Sequence, residues 1–179
     1  SLSPYSLTKV VDLIQASLKQ PSIIVGWSLG GLVAADLALR YPDKVLGLVT
    51  VASSPCFLAK DKSVNDTECA VNSWPGIQPD VLKMFHQQLA QNTKKTIDGF
   101  LKIQAMGSPH VRQDIKIIRD LVMQYELPHE KTLDESLALL ETVDLRKQLK
   151  HINTPTLRLY GKLDSLVPKA AIDFISNLM

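Results

Sequence analysis

The apolar positions along the chain follow two alternating rhythms. From Ser6 to Lys19 they recur at helical spacing, with Leu7, Val10, Val11, Ile14 and Leu18 on one stripe, and Pro21 ends the pattern. Ser22-Ile23-Ile24-Val25 is a short β-branched run without polar alternation, which predicts a parallel strand covered on both faces. Gly26 to Gly31 predicts a tight turn. Leu32 to Tyr41 predicts an Ala- and Leu-rich helix stopped by Pro42, and Val45 to Val51 a second buried strand. Helix, strand, helix, strand is the order of an α/β fold with a parallel sheet.

The rhythm then changes. Ser53 to Gln78 is loop-like, and residues 79 to 142 carry helical periodicity with no strand pattern. Pro79-Asp80 opens one helix, with Val81, Leu82, Phe85 and Leu89 on a face. Thr96 to Met106 is another. Ser108-Pro109 reads as an N-cap followed by proline at the first helical position, leading into Val111, Ile115, Ile118 and Val122. Thr132-Leu133-Asp134-Glu135 reads as a capping box before Leu137 and Leu140. The α/β pattern returns with a strand at Thr156 to Tyr160, a loop at Gly161 to Val167 and a helix at Pro168 to Leu178. The expected organisation is a body of residues 1–54 and 151–179, with residues 55–150 forming a connecting loop and a helical lid.

Composition narrows the function classes. A chain of 179 residues is about one domain, and 45% apolar with 21% charged residues is globular usage. A net charge of +2 does not suggest a nucleic-acid binder, and no apolar run approaches the ~20 residues of a membrane span. Cys56 and Cys69 make neither a disulfide framework nor a zinc motif, so two reduced thiols in a cytoplasmic protein are expected. There the sequon Asn65-Asp66-Thr67 would go unused.

Chemistry enters at Gly26-Trp27-Ser28-Leu29-Gly30, a G-x-S-x-G motif with a buried strand before it and a helix after it. That context makes it a nucleophile elbow. Ser28 would sit on a strained turn costing ~1–3 kcal/mol. Gly26 and Gly30 would let strand and helix approach closely. The helix start would aim free N–H groups at the site, and Leu29 N–H would serve as an oxyanion donor worth about 3–4 kcal/mol. A serine needs a base, and the base an orienting carboxylate, in the chain order Ser, Asp or Glu, His. Asp164 follows the strand ending at Tyr160 and fits the acid. Asp144 fits less well, because no strand precedes it. No histidine follows Asp164, while His86, His110, His129 and His151 all precede it. With three visible strands and Ser at position 1, the expectation is an internal piece of an α/β hydrolase, lacking its first strands and the last strand with the base.

The run Ile24-Val25-Gly26-Trp27-Ser28-Leu29-Gly30-Gly31-Leu32-Val33-Ala34 resembles the elbow of the pimeloyl-[acyl-carrier protein] methyl ester esterase family. So do Leu48 to Phe57, Trp74-Pro75-Gly76-Ile77, Phe100 to Gly107 and Leu157 to Gly161, with an insertion near Lys60 to Ser73. The resemblance implies an α/β-hydrolase fold with a helical lid and a monomeric, cofactor-free and metal-free serine esterase of biotin synthesis. It implies Ser28 as nucleophile, Asp164 as triad acid and Leu29 as oxyanion donor. Phe100, Leu101, Lys102, Ile103 and Gln104 would line the substrate channel. The family's catalytic histidine and its His-Gly-Trp segment have no counterpart here.

Charge suggests the partner. Residues 94 to 119 hold six basic and two acidic side chains, an excess of +4 in a chain whose net charge is +2. A basic rim would steer an acidic acyl-carrier protein, with Lys95, Arg112 and Lys116 as candidate contacts. Two alternatives remain open at this point. One is a serine esterase or acyl hydrolase for other esters, small ones included. The other is a catalytically incomplete binding module, or a piece whose missing strands come from a second polypeptide.

Overall fold

The computed structural model describes residues 5–61, 73–126 and 128–178. Cys69, the sequon at Asn65 and most of the insertion between Lys60 and Ser73 lie outside them. Three parallel strands form one sheet in the order β1 (Ser22–Trp27), β2 (Val45–Val51), β3 (Thr156–Leu159). The strand ends are aligned, since Trp27 pairs with Val51 and Val51 with Leu159.

One face of this sheet carries the core. Helices α1 (Leu7–Ser17) and α2 (Leu29–Arg40) lie there, with α7 (Lys169–Asn177). The Ser6 hydroxyl caps α1 by accepting from Lys9 N–H at 3.3 Å. Small and aliphatic side chains bury α2 from Gly31 to Ala38, and Leu32, Leu37, Leu48, Val11 and Ile175 close together in the interior. The opposite face differs from the sequence expectation. Ile23, Val25, Leu157 and Leu159 are 66%, 67%, 55% and 46% exposed. The β-branched run therefore forms a strand covered on one face, because no described helix packs on the other.

Between β2 and β3 come α3 (Pro79–Gln91), α4 (Thr93–Gln104), α5 (Val111–Val122) and α6 (Glu130–Thr142). Helix α3 packs on α4 and α6, and α4 on α5. Two helix starts depart from the predicted caps. Ser108 accepts from His110 N–H at 3.0 Å and donates to Asp114, so residues 109–110 make a turn and α5 begins at Val111. Helix α6 begins two residues before Thr132, and Glu135 pairs with Lys131 at 3.9 Å instead of reaching back to a cap. Helix α4 starts earlier than its apolar pattern, capped by Asn92 accepting from Lys95 N–H at 2.9 Å.

A buried joint fixes where the inserted helices leave and rejoin the body. Isolated bridges pair Cys56 with Asp144, Leu58 with Ile77 and Lys60 with Trp74. Trp74 is buried and donates Nε1–H to the Cys56 carbonyl at 2.7 Å, with the Arg146 guanidinium 5.1 Å from its ring centroid. Arg146 grips Asp144 with two hydrogen bonds of 2.9 and 2.7 Å, and Lys60 adds a third at 2.9 Å. Burial pushes the Asp144 carboxyl up, but the hydrogen bonds from Arg146 and Lys60 prevail and hold it at about 2. Asp144, the weaker acid candidate, is thus committed to holding the joint.

Candidate active site

The turn predicted over Gly26 to Gly31 contracts to one residue. β1 runs through Trp27 and α2 starts at Leu29, leaving Ser28 as the whole connection. A reversal that short forces left-handed backbone, and Ser28 has φ +52° and ψ −120°. In a non-glycine residue such a conformation costs ~1–3 kcal/mol. The surroundings hold it in place. Ser28 N–H donates to the Val51 carbonyl at 2.9 Å, and the Ser28 carbonyl accepts from Gly31 N–H at 2.9 Å and from the Ser53 hydroxyl at 2.8 Å. Ala52, also left-handed at φ +47°, turns the chain at the tip of β2 so that Ser53 can reach.

The two glycines that permit this geometry are Gly26 and Gly31. A Cβ on Gly26 would lie 2.5 Å from the Gly30 carbonyl carbon and 2.6 Å from Gly31 Cα. A Cβ on Gly31 would lie 2.5 Å from both Cβ and Oγ of Ser53. Gly30 corrects the sequence expectation: a Cβ there meets nothing within 4 Å, because that position faces open space.

The half-buried Ser28 side chain makes no cap hydrogen bond to α2. Leu29 is the first residue of that helix, so its N–H is among the donors without an intrahelical partner, at the positive end of the helix dipole. Asp164 lies on the same edge of the sheet, beyond β3. Ala52 N–H to the Leu159 carbonyl at 2.8 Å carries the ladder across to that strand. Asp164 Oδ1 accepts from Leu166 N–H at 2.8 Å and Val167 N–H at 3.2 Å, which fixes the loop ahead of α7.

The four histidines lie elsewhere. His86 Nδ1 is 2.8 Å from Asp134 Oδ1, between α3 and α6. His110 and His129 stand at the starts of α5 and α6. His151 precedes β3, at the opposite edge of the sheet from Ser28. Among the described residues no histidine hydrogen-bonds to Ser28 or Asp164.

The inserted helices reach this edge through aromatic rings. Trp27 and Phe100 have centroids 6.5 Å apart, and Phe100 and Phe85 meet edge to face at 5.9 Å. A groove of about 780 Å³ opens between α3 and α4, bordered by α6 and by Ser165 and Leu166 beside Asp164. Of the predicted channel residues, Phe100 and Ile103 line it. Leu101, Lys102 and Gln104 do not: Leu101 is 2% exposed, turned into the helical packing, while Lys102 is exposed and Gln104 half-buried outside the groove. Lys95 borders the groove, whereas Arg112 and Lys116 are exposed on α5. Trp27, Ser53 and Leu166 went unread in the sequence. Only the x position of the elbow motif marked Trp27, and nothing local marked the other two. Among the described residues, no group of three or more His, Cys, Asp or Glu is placed to hold a metal ion. No described helix is long and apolar enough to cross a membrane.

A parallel sheet whose strand-to-helix turn strains a serine, with a carboxylate two strands away on the same edge, defines an α/β hydrolase. A family model described as alpha/beta hydrolase fold matches residues 4–178, and the chain belongs to that family. Among curated proteins it is 48% identical over 167 residues to the pimeloyl-[acyl-carrier protein] methyl ester esterase of Shewanella woodyi, an alignment covering 93% of this chain and 62% of that protein. It is 47% identical over 173 residues to the protein of the same name from Aeromonas hydrophila, covering 97% and 64%. The chain thus spans about three fifths of the length of these relatives. Among solved structures it is similar to an esterase from Exiguobacterium antarcticum, with TM-score 0.71 and 19% identity over 97% of this chain and 60% of that one. An enol-lactonase from Burkholderia xenovorans gives TM-score 0.73 at 15% identity, covering 98% and 62%. At those identities the structures speak for the fold.

Proposed function

We propose that the chain carries the nucleophile, the acid and the acyl groove of a serine carboxylesterase. The observation that carries this reading is Ser28 at φ +52° on a one-residue strand-to-helix turn, with Asp164 beyond the parallel strand β3 on the same edge. The names of the relatives at 47–48% identity support the methyl ester of pimeloyl-acyl-carrier protein as the substrate.

Ser28 Oγ attacks the ester carbonyl while its proton passes to a histidine, and the oxyanion is held by Leu29 N–H. Collapse of the tetrahedral intermediate breaks the bond to methoxide, which leaves as methanol with that proton. Water then attacks the acyl-enzyme, and the acid is released. Asp164 holds the imidazole in the tautomer that accepts from Ser28. Because none of the four histidines stands at Ser28, we assign the base to a residue outside these 179. Helices α3 to α6 act as the lid, Phe100 and Ile103 touch the acyl chain, and Arg112 and Lys116 on α5 steer the acidic carrier.

Hydrolysis of p-nitrophenyl butyrate tests the reading. It is measured with this chain and with the complete gene product, each beside its Ser28→Ala variant. Activity in the complete product that Ser28→Ala abolishes is the expected result. Activity that survives Ser28→Ala overturns the assignment. Full activity of the 179-residue chain overturns the placement of the base.

A further inference from the structure

Asp164 sits in a loop that is braced on both sides of it. Ahead of it, residues 161–164 make a tight turn, closed by Asp164 N–H donating to the Gly161 carbonyl at 3.2 Å. Behind it, Leu166 and Val167 N–H donate to Oδ1, so the direction of the carboxylate follows the position of the loop. Leu163 stands in the turn and reaches the inserted helices just past the end of α4. Gly107 closes that end with left-handed backbone at φ +87°. The Leu163 side chain fills the space that a Cβ on Gly107 would take. Such an atom would collide with Leu163 Cδ1 and lie 3.6 Å from its Cγ. Beyond Asp164, Ser165 and Leu166 border the groove with α3 and α4. The loop thus meets the inserted helices before Asp164, at Gly107, and after it, along the groove wall.

Leu163 is 64% exposed, so its packing on Gly107 locates the loop and contributes little to the fold. Placement of this kind matters for chemistry, because a displacement of about 1 Å in a reacting constellation costs on the order of a hundredfold in rate. We propose that Leu163 is a positioning residue for the hydrolysis. Seated on Gly107, it ties the Asp164 loop to the end of α4, so that the inserted helices set the direction of the acid. This rests on the reading of Asp164 as the acid partner of Ser28 and adds the contact that places it.

The test is a double-mutant cycle in p-nitrophenyl butyrate hydrolysis by the complete gene product. Leu163→Ala should lower kcat about three- to tenfold, part of the loss that a full displacement brings, and leave KM within about twofold. Leu163→Met keeps the contact and should restore kcat to within about twofold. In an Asp164→Asn background, Leu163→Ala should change the residual rate by less than about twofold, because the carboxylate it places is gone. A loss of equal size in both backgrounds, or a kcat that Leu163→Ala leaves unchanged, overturns the inference. Gly107→Ala probes the other side of the contact. It should lower kcat by displacing Leu163, and combined with Leu163→Ala it should match Leu163→Ala alone. Losses that multiply overturn the tie to α4. Ser28→Ala and Asp164→Asn by themselves separate the two readings. If both cripple hydrolysis while Leu163→Ala does not, the esterase reading stands and the positioning role falls. If either leaves hydrolysis intact, the reading of the site falls and takes the positioning role with it.

Discussion

Adding one methyl group at each of the two glycines on either side of Ser28 should have opposite consequences. At Gly26 the new Cβ meets backbone, 2.5 Å from the Gly30 carbonyl carbon and 2.6 Å from Gly31 Cα. Backbone cannot rotate aside as a side chain can, so strand and helix must separate. Overpacking of this kind costs about 1–3 kcal/mol, and a backbone collision belongs at the upper end. At Gly30 the same methyl meets nothing within 4 Å, and the residue is the second of α2. There Ala stabilises by about 0.4–1 kcal/mol, because it restricts the unfolded chain and suits a helix better. For a domain of this size each kcal/mol moves Tm by about 2–4 °C. Gly26→Ala should therefore lower Tm by about 5–10 °C and Gly30→Ala raise it by about 1–4 °C. Thermal unfolding followed by circular dichroism reads both. Two variants shifted equally in the same direction would refute the claim that close approach at Gly26, and not general glycine flexibility, shapes the elbow. In the esterase assay on the complete gene product Gly26→Ala should also lose activity, because separating strand from helix displaces Ser28.

Other expectations follow from the joint, the thiol and the outer face of α5. Asp144 has a folded pKa of about 2 against 3.8 unperturbed. Its stabilisation, about 2 kcal/mol, is therefore fully present above pH ~4 and lost as pH falls through ~2. Denaturant unfolding across that range should show an acid limb that Asp144→Asn flattens, and at pH 7 the variant should lose about 2 kcal/mol by removing the carboxylate that Arg146 and Lys60 grip. Burial pushes the Cys56 thiol up to about 11 from 9.0. In a Cys69→Ser background, alkylation by iodoacetamide at pH 8 should thus be at least about a hundredfold slower in the native chain than after unfolding, and equal rates would contradict the burial. Arg112→Glu with Lys116→Glu should raise KM for a carrier-linked ester about tenfold at low ionic strength, fading with added salt, and leave p-nitrophenyl butyrate unchanged. An equal effect on both substrates would remove these residues from carrier steering.

The elements were legible because apolar spacing is imposed locally, by which side chains must face the core. α1, β2 and α3 fall within a residue or two of where their patterns place them. The misplaced helix starts at Val111 and Glu130 have one cause. Ser108 and Thr132 have cap-forming side chains, but a hydroxyl can satisfy other backbone or side-chain groups equally well. Ser108 closes a turn before the helix, and Thr132 lies inside one. β1 departs from the expected two-sided burial for a different reason. A continuous β-branched run reports what a strand tolerates, and coverage depends on helices brought by distant sequence. The open face at Ile23 and Val25 is invisible to the strand's own residues.

The candidate site divides along the same line. Strand, glycine, serine and helix are consecutive, so G-W-S-L-G specifies both the strained residue and the donor beside it. Ser53 lies twenty-five residues from the carbonyl it holds, and its own neighbours read as ordinary loop. Its contact with the Gly31 backbone also explains why Gly31, outside the five-residue motif, tolerates no side chain. The groove follows a further rule. Phe100 and Leu101 are adjacent, but a helix turns about 100° per residue, so one faces the groove and the other is buried behind it. A contiguous five-residue segment therefore cannot line a channel from a helix. The lining must come from positions three and four apart, and on α4 Lys95, Gly99, Phe100 and Ile103 follow that spacing.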